Sequence, residues 1–85
     1  MTMFDHRVMN PEGVHAKLAS QLAEKVKQMP QTVQLVKDKK AVNAENLLAI
    51  VGLCIKADDI IQFKVSGEQE EQAAEELKKF VQETV

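Results

Sequence analysis

The chain has no tryptophan, no tyrosine and only three phenylalanines in 85 residues. A sheet face that binds RNA needs exposed aromatics to stack bases and a basic surface to hold phosphates, so this composition argues against that class. The formal net charge of −2 points the same way. Cysteine is almost missing too. Cys54 stands alone, which excludes a disulfide framework and a cysteine-based metal pair; in its apolar stretch it is expected to be buried as a small hydrophobe. No apolar run is long enough to cross a bilayer, and Asp5, His6 and Arg7 stand where a signal peptide would need its apolar region. A soluble cytoplasmic protein is therefore expected, with no nucleic-acid partner and no membrane insertion. His6 has no acid, cysteine or second histidine at ligand spacing, so solvent exposure is expected for it rather than a metal role.

What is present suffices for one small domain over residues 1–85, because hydrophobic residues make up 45% of the chain and every element must contribute to a single core. Met3, Phe4, Val8 and Met9 mark a first strand over Thr2–Met9, closed by the turn signal Asn10-Pro11-Glu12-Gly13. Leu18, Leu22, Val26 and Met29 recur at helical spacing, so a helix runs from about Ala16 to Gln28 and Pro30 stops it. Thr32–Val36 and Ala41–Asn43 form a hairpin around the charged turn Lys37-Asp38-Lys39-Lys40. Ile61, Phe63 and Val65 alternate with polar residues in a strand over Ile60–Ser66, and Ala73, Ala74, Leu77, Phe80 and Val81 give a helix over about Glu70–Gln82 an apolar face. With a short helix between Asn46 and Ile55, the order is β-α-β-β-α-β-α. Two longer amphipathic helices can cover only one face of four strands, which gives an α/β two-layer open-faced sandwich.

Charge is unevenly spread along this order. Residues 1–67 carry nine Lys/Arg against seven Asp/Glu, whereas residues 68–85 carry six Glu and two Lys. The slightly positive part contains His15, compatible with an acidic docking surface on a partner.

His15 lies in Gly13-Val14-His15-Ala16-Lys17-Leu18-Ala19, at or beside the N-cap of the first long helix. The first turn of a helix has N–H groups without intrahelical partners, and the macrodipole adds partial positive charge there. An anion carried on His15 is stabilised at that place. The same field disfavours the imidazolium, so a neutral ring able to attack an electrophile through a ring nitrogen is expected. Lys17 adds a movable positive charge. Together these residues can cradle a phosphoryl group held on histidine. No second acid, base or metal cluster accompanies His15, which argues against an independent enzyme.

Asn46-Leu47-Leu48-Ala49-Ile50-Val51-Gly52-Leu53-Cys54-Ile55 has apolar residues on every side of a short helix. Either it is wholly buried or part of it is a contact surface, and full burial is hard to arrange in so small a chain. Ile50, Leu53 and Cys54 are the expected core face.

The motif around His15, the chain length and the order of elements resemble the HPr family, the histidine-containing phosphocarriers of the bacterial phosphoenolpyruvate-dependent sugar phosphotransferase system. Their usual motif is Gly-hydrophobic-His-x-Arg-Pro-Ala; Lys17 stands at the arginine and Leu18 at the proline. The resemblance implies that His15 accepts a phosphoryl group through Nδ1 from phosphorylated enzyme I and passes it to sugar-specific enzyme II A components, with no cofactor and no metal on the carrier. The backbone N–H groups of Ala16 and Lys17, with the Lys17 ammonium, would hold the phosphoryl oxygens. Residues matching Leu47, Leu48 and Val51 form the family's partner-docking patch, to which Ser20 on the first helix is added. Asn46 stands where Gram-positive members carry a regulatory serine; asparagine caps a helix but has no hydroxyl to phosphorylate. Glycine is usual where Cys54 stands, and Gly52 is expected to end the short helix early. The alternative is a divergent HPr-like regulatory binding protein with little or no phosphotransfer, favoured by the changes at Lys17, Leu18 and Asn46.

Overall fold

A computed structural model describes residues 1–85. Its elements are β1 (Thr2–Arg7), α1 (Ala16–Lys27), β2 (Thr32–Lys37), β3 (Lys40–Asn43), α2 (Leu47–Gly52), β4 (Ile60–Ser66) and α3 (Glu70–Thr84). The four strands form one antiparallel sheet in the order β1-β4-β2-β3. The helices cover one face, so the open-faced sandwich expected from the sequence is the fold. No helix is long and apolar enough to cross a membrane.

The period-two pattern of β4 decides the layering. Ile61, Phe63 and Val65 are buried on the helix side, and Gln62, Lys64 and Ser66 point to the open face. Val33 and Leu35 of β2 join them from one neighbour, while Phe4 of β1 stacks on Phe63 at 5.2 Å between ring centroids from the other. α1 brings Leu18, Ala19, Leu22, Ala23 and Val26 to this layer, and α3 brings Ala73, Ala74, Leu77 and Val81. Phe80 packs against the core from its edge, with Lys25 Nζ 6.0 Å from its ring centre.

Three expectations need correction. His6 is not solvent-exposed: it shares the inner face of β1 with Phe4 and is 9% exposed, and its Nε2 has no hydrogen-bond partner. Strand parity places it there, since residues two apart share a face. Burial pushes its imidazole below the ordinary histidine range, with a backbone hydrogen bond to Val85 acting in the other direction.

Cys54, in turn, is exposed rather than on the core face of α2. The helix stops at Gly52, Leu53 caps it, and Cys54 turns the chain with φ of +53°. The left-handed residue is thus the cysteine and not the glycine. Leu53 and Ile50 are buried as expected.

The hairpin turn, finally, is only Asp38-Lys39, both at positive φ, so Lys37 and Lys40 belong to the ladder. Two consecutive left-handed residues make the tight turn whose twist suits paired strands. Lys37 thereby points to the helix side, where it acquires a structural role.

Candidate functional site

The loop from β1 to α1 is shaped before it reaches the helix. Asn10 accepts from Gly13 N through its carbonyl and from Glu12 N through Oδ1, both at 2.9 Å. Gly13 has φ of +70°, and a Cβ there would lie 2.4 Å from the Ile55 carbonyl oxygen. Only glycine fits such a contact. Val14 N then donates to Ile55 O at 3.0 Å, fixing the chain immediately before His15.

His15 is the N-cap of α1. Its backbone is extended, with φ −92° and ψ −178°, and Nδ1 accepts a hydrogen bond from Lys17 N. That contact is 3.3 Å long. On the opposite ring edge, Nε2 lies 3.3 Å from Glu12 Oε2. The first turn of α1 contains no acidic residue, and the exposed Lys17 side chain takes part in none of the ion pairs. Anion-favouring N–H groups and a free ammonium therefore share this end of the helix. Leu18 is buried in the core.

α2 packs against α1. Asn46 Oδ1 caps it by accepting from Ala49 N at 3.1 Å. Ile50 faces inward, while Leu47 and Val51 are each 38% exposed and Leu48 is 81% exposed. Ser20 is exposed on α1. The segment leaving α2 is held by Lys37, whose Nζ donates to Leu53 O at 3.1 Å and Cys54 O at 2.9 Å and sits 3.2 Å from Asp59 Oδ2. Asp59 in turn accepts from Lys56 N at 2.8 Å. That backbone donor, followed by Lys37, holds the Asp59 carboxyl below the usual carboxylate range. Residues 53–56 are the wall against which Gly13 and Val14 rest, so Lys37 supports the loop carrying His15 through one intervening segment.

Glu12, Lys37 and Asp59 are the site neighbours to which sequence reasoning gave no role. An acid three residues before a cap histidine was the available signal for Glu12; nothing in the order of residues brings Lys37 to residues 53 and 54. None of the four surface grooves is lined by His15. The histidine sits on an open surface.

Fold and site together define a small open-faced sandwich that presents one N-cap histidine at its surface, without an enclosing pocket. Residues 3–83 match the family model described as "PTS HPr component phosphorylation site", and the chain belongs to the HPr family of phosphocarrier proteins. It is 36% identical over 70 residues to the phosphocarrier protein HPr of Lysinibacillus sphaericus, covering 82% of this chain and 80% of that one. It is 30% identical over 73 residues to the HPr-like protein Crh of Bacillus subtilis, covering 86% of each. Among solved structures, HPr-C-His from Thermoanaerobacter tengcongensis superposes with a TM-score of 0.90 at 23% identity, over 99% of this chain and 94% of that one.

Proposed function

We propose that the protein accepts a phosphoryl group on His15 from phosphorylated enzyme I and passes it to the sugar-specific enzyme II A components of the phosphotransferase system. The observation that carries this is His15 at the α1 N-cap with Nδ1 turned to the Lys17 N–H. A nitrogen that accepts a hydrogen bond has its lone pair in place, and the helix start favours the anion that arrives. Family membership supplies the reaction class.

In the transfer, the Nδ1 lone pair forms the N–P bond as the bond to the donor breaks. The Lys17 N–H leaves the ring nitrogen for a phosphoryl oxygen, and the Ala16 N–H and Lys17 ammonium take others. Exposed Leu47, Leu48 and Val51, with Ser20, form the surface that donor and acceptor grip in turn. One small patch must serve both, because each has to bring its reacting group to the same nitrogen.

The test is incubation of the pure protein with phosphoenolpyruvate, magnesium and enzyme I from the same organism. A stoichiometric, acid-labile phosphate that is absent in His15→Ala is expected; no signal, with enzyme I active on another HPr, overturns the proposal. The second reading, a regulatory binding protein, is favoured by the similarity to Crh together with Lys17 and Leu18 in the motif. It requires that His15→Ala leave the biological effect intact. Asn46 argues against regulation by serine phosphorylation at that position.

A further inference from the structure

The two ring nitrogens of His15 face groups of opposite kind. Nδ1 accepts from Lys17 N at 3.3 Å, so in the neutral ring the proton belongs on Nε2. Nε2 in turn faces the Glu12 carboxylate, with Oε2 at 3.3 Å. The negative charge of the carboxylate favours a proton on the nitrogen beside it, and so the same tautomer. Glu12 is an exposed residue, but its backbone is fixed by the Asn10 side chain on its own N–H and by Gly13, which has no room for a Cβ. From that backbone its carboxylate reaches the ring edge remote from the helix.

We propose that Glu12 is a positioning residue that closes Nε2 to phosphorylation and directs the phosphoryl group to Nδ1. A phosphoryl donor approaching Nδ1 meets the N–H groups of the α1 start and the Lys17 ammonium. One approaching Nε2 meets a negative carboxylate and is repelled. When Nδ1 attacks, its lone pair forms the N–P bond and the leaving group departs with the electrons of the bond that breaks. The ring becomes cationic, and the Nε2–H that carries part of this charge faces Glu12. The inference deepens the phosphocarrier reading and rests on it.

Two measurements on the full chain test the assignment. In the unmodified protein with ¹⁵N-labelled histidine, Nε2 of His15 is expected to be the protonated nitrogen. In Glu12→Gln the Nε2 and Nδ1 signals should move toward each other, because the tautomer bias weakens. A proton on Nδ1, or an unmoved Nε2 signal, overturns the assignment without any phosphorylation. Phosphoramidate then serves as a small-molecule donor that needs no enzyme I: its P–N bond breaks and ammonia leaves as His15 is phosphorylated. Wild type is expected to carry the group on Nδ1 by ³¹P NMR, and in Glu12→Gln the Nε2-linked share should rise roughly five-fold. The same isomer ratio in both proteins overturns the proposal. Failure of enzyme I to phosphorylate a chain that shows the expected isomers counts against the proposed function and not against the role of Glu12.

Discussion

Lysine and arginine at position 17 offer a phosphoryl group different handles. Arginine presents a rigid planar fork that can bind two oxygens, whereas the Lys17 ammonium is a point charge on a flexible stem. Lys17→Arg is therefore expected to lengthen the lifetime of phospho-His15 and speed its formation by about five-fold, the equivalent of ~1 kcal/mol. Equal rates and lifetimes in the two proteins would refute this. Gly13 is less forgiving, because an added methyl meets the Ile55 carbonyl oxygen at 2.4 Å and the Lys56 Cα at 2.8 Å, at a φ of +70°. Gly13→Ala should lower the unfolding free energy by roughly 2 kcal/mol, measured in urea, and slow phosphoryl acceptance by shifting His15. His15 itself was legible in the sequence, since a glycine and a valine interrupt the pattern immediately before helical spacing begins. His6 was not. The apolar Met3 and Met9 mark the exposed face of the first strand region, at 55% and 70% exposure, and compete with Phe4 and Val8, which mark the buried parity.

The short helix α2 shows how far an element can be read and where reading stops. Its excess of apolar surface is visible in sequence, and so is the conclusion that part of it is left uncovered. Its stop at Gly52 is visible as well, but the left-handed turn that follows is not, because the chain turns at Cys54 under the hold of Lys37 rather than at the glycine. That hold joins residues 16 and 17 positions apart, which no local pattern encodes. The two ends of α2 thus give different expectations. Leu48→Gln, at the most exposed position, should leave stability within ~0.5 kcal/mol and weaken docking to enzyme I by about ten-fold in KM, with little change in kcat. Lys37→Met keeps the aliphatic stem and removes the ammonium, leaving the Leu53 and Cys54 carbonyls and Asp59 without their shared donor. It is expected to destabilise by about 1–2 kcal/mol and to raise amide exchange in residues 53–56 and in Val14. Unchanged exchange at Val14 would show that the support does not reach the His15 loop.

For the molecule as a whole, the response to acid should be set first by a residue outside the functional site. His6 lies on the core face of β1 with Nε2 unpartnered, so the fold disfavours its charged form. The unfolded chain has no such preference and protonates this histidine around its ordinary value of 6.5. Between that value and the lowered one of the folded state, the unfolded chain binds the additional proton. Stability therefore falls as pH falls through this window, by at most ~1.4 kcal/mol per pH unit, and is unaffected by His6 above it. Asp59 and Glu70, whose carboxyls are also lowered, act only further down, below their ordinary values of 3.8 and 4.5. For these carboxylates too, the folded state resists protonation, so their contributions are lost in the same direction. The two regimes can be separated by replacing His6 with leucine, which fits an apolar site and does not titrate. Urea midpoints measured from pH 7.5 down to 5 should decline in wild type and decline less in His6→Leu, with His15 present in both so that its contribution cancels. Parallel curves would mean that the proton enters the folded protein freely, and that β1 yields around His6 without loss of the sheet.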